Sequence, residues 1–331
     1  MNTPVLNRLE MNTSVNTFLP SMIEELVLLE NIAPGKTALC ALLEVIREDV
    51  GAIDIKSNID KLIVEVQTNR ECLSILIPPQ RLFELLLQID FKQQVGLVDD
   101  VLAQHRTVAF LVHGEPDCGQ ELLVNRLFRL TSGWRNNSPI KHDVTHNAAY
   151  RSTKSLWKQL GRSFSLPSDA KPEQIIDRIC DRWQTQDVVL IFEKIDCMPA
   201  KVLCAWLQEL WEPLVERGKL KPPQPETHLI MFLVDNCGSV CQSQVMLAKQ
   251  FHEPEYPRIP LHLPPVSPFP LEILKDWLRD IKVYHDLHLP TSLTYQRLWE
   301  ESDKGVPQFV YEEICRHFDL SWEGDLAKWL I

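Results

Sequence analysis

At 331 residues the chain is long enough for two domains, or three, and for a sizeable core, and its 45% hydrophobic and 24% charged content describes an ordinary soluble protein. A net charge of −11 argues against a general nucleic-acid or anionic-membrane binder, since neither surface attracts it. No apolar run is long enough to span a bilayer, no cleavable leader pattern opens the chain, and nine scattered cysteines fit reduced thiols in a cytoplasmic protein better than a disulfide framework.

Residues 1–17 are rich in Asn and Thr with little periodicity and are expected to be a flexible terminus. Three helical patterns follow, over 21–32, 36–50 and 55–66. The first has Met22, Ile23, Leu26 and Val27 on one face, the second Leu39, Leu42, Leu43 and Ile46, and the third Ile59, Leu62, Ile63 and Val66. The spacing predicts a small all-α bundle over 18–72. It holds no catalytic constellation, so it reads as an interaction module. Pro78-Pro79 marks a boundary within a linker and connector over 73–105, whose second part, 81–105, is expected to be helical.

Beyond it, strand and helix patterns alternate over 106–265, the mark of an α/β fold with a mostly parallel sheet flanked by helices. The first strand, from Val108, runs into Gly114-Glu115-Pro116-Asp117-Cys118-Gly119-Gln120-Glu121 and a helix over 121–130. This is the frame of a phosphate-binding P-loop, G-x-x-x-x-G-K-[ST], in which backbone N–H groups cradle phosphates, Lys neutralises them and the hydroxyl holds Mg²⁺. Gln120 stands in place of the Lys and Glu121 in place of the hydroxyl, so the loop is more negative than a working one by about two charge units. Glu115 and Asp117 add to that, and no Lys or Arg lies between Gly114 and Arg126. The dipole of the following helix contributes roughly 0.3–1 kcal/mol, too little to offset those carboxylates against a triphosphate. Cys118 sits at a helix N-terminus, where thiolates are favoured, but its acidic neighbours oppose the shift and it reads as passive.

Further strands are expected over 140–144, 187–196, 228–235 and 259–263, with helices over 152–164, 172–184 and 200–217 between them. In P-loop proteins the second long strand ends in the acid that holds Mg²⁺. Here it ends Phe192-Glu193-Lys194-Ile195-Asp196, and either Glu193 or Asp196 is the acidic relic. No good base for phosphoryl transfer is evident, and Lys194 puts a cation where a second acid often positions the attacking water. Trp206 and Trp211 read as core on the long amphipathic helix. A proline cluster then leads to a helical region over 266–331, with helices over 271–285, 295–303 and 307–317 and a short amphipathic end over 322–331. Cys237 and Cys241 are the only close cysteine pair and lack a Cys/His partner of zinc spacing, so the sequence gives no metal site. None of H-E-x-x-H, G-x-S-x-G or a Cys–His nucleophile pattern occurs.

The order of these parts resembles the STAND NTPases, signalling P-loop ATPases with a helical lid after the NTPase sheet. Lys304-Gly305-Val306-Pro307 looks like the G-x-P motif of that lid, whose proline touches nucleotide in active members. With departures at Gln120, Glu121, Phe192 and Lys194, residues 83–331 are most similar to the inactive STAND domains of bacteria. The bundle resembles, in size and place, the effector-associated domains that precede them. The resemblance implies a non-catalytic adaptor, with no cofactor, in a bacterial signalling or conflict system. Its N-terminal domain would recruit a protein partner, like with like, and it would engage no nucleic acid and no membrane. Gly114, Gly119, Gln120, Glu121, Glu193, Gly305 and Pro307 would line a vestigial nucleotide pocket. The alternative is a switch that binds ATP or ADP without efficient hydrolysis. An active ATPase would need Lys194 or Arg126 to supply the missing cation.

Overall fold

The chain divides into two units, Met1–Leu76 and Ile77–Ile331. The computed structural model describes residues 31–33, 36–68, 77–131, 138–144, 152–220, 227–284, 289–290 and 292–330. In the first unit, β1 (Asn31–Ala33) pairs antiparallel with β2 (Lys36–Thr37), and α1 (Ala38–Asp49) packs on α2 (Ile53–Thr68). The helix expected over 21–32 lies outside the described residues except at its end, where Asn31 and Ile32 are strand. Pairing of Asn31 with Thr37 overrides the helical period there, and the next helix begins at Ala38 rather than Lys36. Ala38, Cys40 and Ile59 are buried, while Val45, Ile46, Ile55, Leu62 and Val64 are exposed; Leu62 was expected to face inward. Arg47 pairs with Asp60 and ties the two helices together.

The second unit opens with α3 (Pro79–Leu86) and α4 (Lys92–Gln104), where one connector helix was expected. Asp90 and Phe91 break it, with φ of 48° and 59°, in the left-handed region that costs a non-glycine residue about 1–2 kcal/mol. The break is held from both sides: Ile89 and Phe91 are buried, and the Arg126 guanidinium donates to the Asp90 carbonyl.

A strand that is apolar on both faces must be covered on both, and the central strands here, apolar except at their ends, are of that kind. β3 (Thr107–His113), β4 (Ile140–Asp143), β5 (Val188–Glu193), β6 (Leu229–Asp235) and β7 (Leu261–His262) form a five-stranded sheet in the order β4-β5-β6-β3-β7, every pairing parallel. Parallel neighbours need crossovers, and the sequence supplies α5 (Gln120–Phe128), α6 (Thr153–Ser163), α7 (Pro172–Trp183), α8 (Ala200–Trp206) and α9 (Glu212–Leu220). One face of the sheet buries Leu111, Leu190, Phe192 and Leu233 against Trp157, Ile179, Trp183, Trp206 and Trp211 from these helices. Trp206 meets Trp157 edge-on at 4.9 Å between ring centres and Phe192 at 5.8 Å. α8 and α9 were expected as one helix. A π turn, Leu207–Trp211, intervenes, and the Glu212 N–H reaches the Leu207 carbonyl just before Pro213, which has no N–H to continue the regular ladder.

The chain then runs through β7 and the prolines to α10 (Leu271–Tyr284), α11 (Tyr295–Glu301) and α12 (Pro307–His317). Because all strands are parallel, the loops after β3, β5 and β6 gather at one end of the sheet, where open α/β sheets bind ligands. Among the described residues no helix is long and apolar enough to cross a membrane.

His142 of β4 gives the sheet a pH dependence. It is 8% exposed, stacks on Phe192, and burial pushes its imidazole down to about 4. The unfolded chain therefore takes up this proton first. The stability it protects is complete above about pH 6.5 and is lost as pH falls toward about 4, by about 3 kcal/mol. Denaturant unfolding of wild type and His142→Leu at pH 7 and pH 4 should show the variant gaining on wild type by that amount; parallel profiles would contradict it.

Candidate functional site

The site begins where β3 ends. Gly114 lies in a bridge to Val266, and a Cβ on it would stand 2.3 Å from the Val266 carbonyl oxygen, so only glycine lets these backbones meet. The loop then turns through Asp117 and Gly119, both at positive φ (61° and 82°), into α5. Within the turn the Cys118 N–H points back to the Glu115 carbonyl at 3.4 Å. Gln120, only 4% exposed, folds its amide over the loop and donates to the same carbonyl at 2.7 Å. The side chain in the lysine position thus closes the loop on itself. Burial, then Glu115 and Asp117, push the Cys118 thiol up to about 11, so it stays protonated at neutral pH.

Pro307 joins the loop from the far end of the chain. A Cβ on Gly119 would meet Pro307 Cβ at 3.3 Å, the Phe91 ring at 3.5 Å and the Tyr311 hydroxyl at 3.5 Å. The Gln308 N–H donates to the Asp117 carbonyl at 3.0 Å, so the first turn of α12 is hydrogen-bonded to the loop. Gly305, φ 93°, makes this docking sterically feasible. Its carbonyl accepts from the Phe269 N–H at 2.7 Å, and a Cβ on it would lie 2.2 Å from the Phe269 carbonyl oxygen. The structure thereby brings Gly119, Gln120 and Pro307 together, with Gly114 and Gly305 setting the backbone at either side.

The carboxylates lie at the end of β5. Glu193 is buried and pairs with Lys141 of the adjacent β4 at 2.9 Å; burial still raises its carboxyl above the ordinary range, with Lys141 opposing and Glu121 and Asp143 adding. Lys194 pairs with Asp143 at 2.7 Å, a contact that raises its ammonium above the usual lysine value. Arg126 is turned away to Asp90. Both candidate replacements for the missing cation are therefore engaged elsewhere. Asp196 accepts from the Asn236 N–H at 3.2 Å, on the side of β6. Asp235 is fully buried and takes the N–H groups of Cys237, Ser239 and Val240, so it shapes the turn after β6.

Sequence reasoning missed Phe91, Gln308 and Tyr311. Phe91 and Tyr311 belong to an aromatic chain: Phe91 meets Phe269 at 5.7 Å, Phe269 meets Tyr311 at 5.9 Å, Tyr311 meets Trp322 at 5.3 Å and Trp322 meets Phe83 at 6.3 Å. Among the described residues the buried Tyr311 hydroxyl has no hydrogen-bond partner. The helical period of α12 carries Tyr311 one turn beyond Pro307, the one signal that would have placed it at the loop.

Two family models match the sequence: "inactive STAND" over residues 86–234 and "Effector-associated domain 8" over residues 1–66. The parallel sheet flanked by helices is the α/β architecture that the alternating strand and helix patterns predicted. No curated protein matches. Solved structures that resemble the chain include Cdc6p from Pyrobaculum aerophilum, 11% identical with a TM-score of 0.43, over 68% of this chain and 60% of that one. Another is the ORC2 protein of Aeropyrum pernix in its ADPNP–ADP complexes, 13% identical with a TM-score of 0.41, over 67% and 58%. The ORC1 protein of Aeropyrum pernix in complex with DNA is 12% identical with a TM-score of 0.39, over 77% and 63%. The chain thus spans less than two thirds of each of these structures.

Gly305→Ala places a methyl group inside the Phe269 carbonyl and in a strained conformation. It should destabilise the protein by at least about 2 kcal/mol, lowering Tm by roughly 4 °C or more. An unchanged melting curve would mean that the docking of α12 does not depend on that close approach.

Proposed function

We propose that this chain, in which an effector-associated domain stands ahead of an inactive STAND domain, is a non-catalytic adaptor of a bacterial signalling or conflict system. The N-terminal helical domain recruits a protein partner, an effector or a like domain, and the P-loop-like unit serves as platform. Its plan is an N-terminal stretch (1–17) that lies outside the described residues, a recruiting domain (18–72), a connector (73–105), a degenerate NTPase-like domain (106–265) and a lid-like helical region (266–331). It works in the cytoplasm without a nucleotide cofactor, nucleic acid or membrane.

The observation that carries this reading is the self-closed loop. The Gln120 amide bonds the loop's own Glu115 carbonyl and Pro307 rests against Gly119, which supports reading Gly114, Gly119, Gln120, Glu121, Glu193, Gly305 and Pro307 as a vestigial pocket. A triphosphate would have to displace both contacts and approach Glu115, Asp117 and Glu121, with Gln120 standing where the loop lysine would meet it. The exposed apolar side chains of α1 and α2, Val45, Ile46, Ile55, Leu62 and Val64, support recruitment through the first unit. The second reading, a nucleotide-binding switch without turnover, rests on the unpartnered Tyr311 hydroxyl beside Gly119.

Calorimetric titration of Mg–ATP and of ADP into the full chain separates the two. The adaptor reading expects no heat and an unchanged Tm at about 1 mM nucleotide. A Kd near 10 µM would instead stabilise the fold by about 2.7 kcal/mol at that concentration and would establish the switch. The recruiting half is tested by coexpression with effectors carrying a related helical domain. Capture that is lost in Ile46→Glu and Val64→Glu, with unfolding midpoints unchanged, is the expected result; capture equally strong in both variants would place the contact elsewhere.

A further inference from the structure

A second cluster lies against the sheet edge, and the loop chemistry makes no use of it. His113 is the last residue of β3, immediately ahead of Gly114, and is buried. His262 lies on β7, whose neighbour on β3 in register is Leu111. Cys241 lies in the short turn Val240–Gln242 after β6, and that turn is pinned by the Asp235 carboxylate accepting the Val240 N–H at 2.7 Å. One ligand atom from each of His113, Cys241 and His262 lies within 4.8 Å of the other two.

The spacing is that of metal ligands. Cys241 Sγ stands 3.3 Å from His262 Nε2. Two ligands of a tetrahedral zinc, with Zn–S about 2.3 Å and Zn–N about 2.0–2.1 Å, lie roughly 3.5 Å apart. The His113 and His262 ring centres are 4.3 Å apart at a tilt of 33°, so the rings converge without stacking flat. His113 also has the supporting contact expected of a metal-bound imidazole: its Nε2 bonds the Leu263 carbonyl at 2.9 Å. A carbonyl can only accept, so Nε2 carries the hydrogen and Nδ1 keeps the free lone pair.

We propose that His113, Cys241 and His262 bind a divalent zinc-type cation, with water in the fourth position. One thiolate and two imidazoles suit Zn²⁺ and reject Mg²⁺ or Ca²⁺, which need oxygen ligands. Cys241 is exposed and His262 half-buried, so the ion enters from solvent. On binding, the Cys241 thiol gives its proton to water and sulfur forms the metal bond; no redox step is involved. The ion clamps the two-residue β7 and the turn after β6 onto the end of β3, at the mouth of the glycine loop.

The test is titration of the metal-free full chain with Co²⁺ alone, followed by displacement with Zn²⁺. One equivalent of Co²⁺ should give the thiolate-to-cobalt charge-transfer band and the intense visible bands of a tetrahedral site, and Zn²⁺ should abolish both and raise Tm. Cys241→Ser should remove the charge-transfer band, and His262→Gln should weaken Zn²⁺ binding by more than about a hundredfold. Both side chains are accessible, so these variants are expected to fold, as melting in the absence of metal will verify. Cys237→Ser, in the same connection, should leave the spectrum unchanged. No band at one equivalent, or a band that survives Cys241→Ser, overturns the proposal.

Discussion

The arrangement of the second unit depends on the meeting of a negatively charged loop with the amino end of a helix. A phosphate-binding loop ordinarily presents N–H groups and a lysine to an anion. Here Glu115, Asp117 and Glu121 reverse the sign of the loop, and what docks on it is the positive end of the α12 dipole, through the Gln308 N–H on the Asp117 carbonyl. Pro307 at the first helical position has no N–H to leave unsatisfied, so it can press its ring against Gly119. The same loop geometry, with its charge inverted, therefore selects a part of its own chain.

That contact would be weak alone, and the aromatic chain under it supplies the area. Phe91, Phe269, Tyr311, Trp322 and Phe83 come from the connector, the proline segment, α12 and the C-terminal turn, so four stretches distant in sequence are buried against one another. The strain at Asp90 and Phe91 fits this role: the break between α3 and α4 turns the Phe91 ring toward the loop, and Arg126 holds the break through the Asp90 carbonyl. The arginine that a catalytic reading would recruit is thus committed to architecture. At the other side of the sheet end, Lys141 and Lys194 are each matched to a carboxylate, Glu193 and Asp143, leaving a neutralised strand end.

The first unit is built differently. Among its described residues, Val45, Ile46, Leu62 and Val64 of the two helices are exposed. Apolar side chains left on two paired helices are the ordinary raw material of a protein contact.

Much of this was legible from residue order alone. The unbroken apolar runs of β3, β5 and β6 announced a buried parallel sheet, because a strand buried on both faces has no polar alternation to show. The glycine spacing of 114 and 119 with Gln120 and Glu121 announced the loop and its altered charge, because charge is a property of composition and needs no coordinates. Tertiary structure alone decided the rest. The connector breaks because burying Ile89 and Phe91 outweighs local strain, and the long helix carries a π turn because Pro213 interrupts its ladder. Periodicity sees neither. That Pro307 lies on Gly119, and that His113, Cys241 and His262 share a few ångströms, follows from the strand order, which sets β7 beside β3. Chain separation hides such neighbours, and only the assembled sheet brings them together.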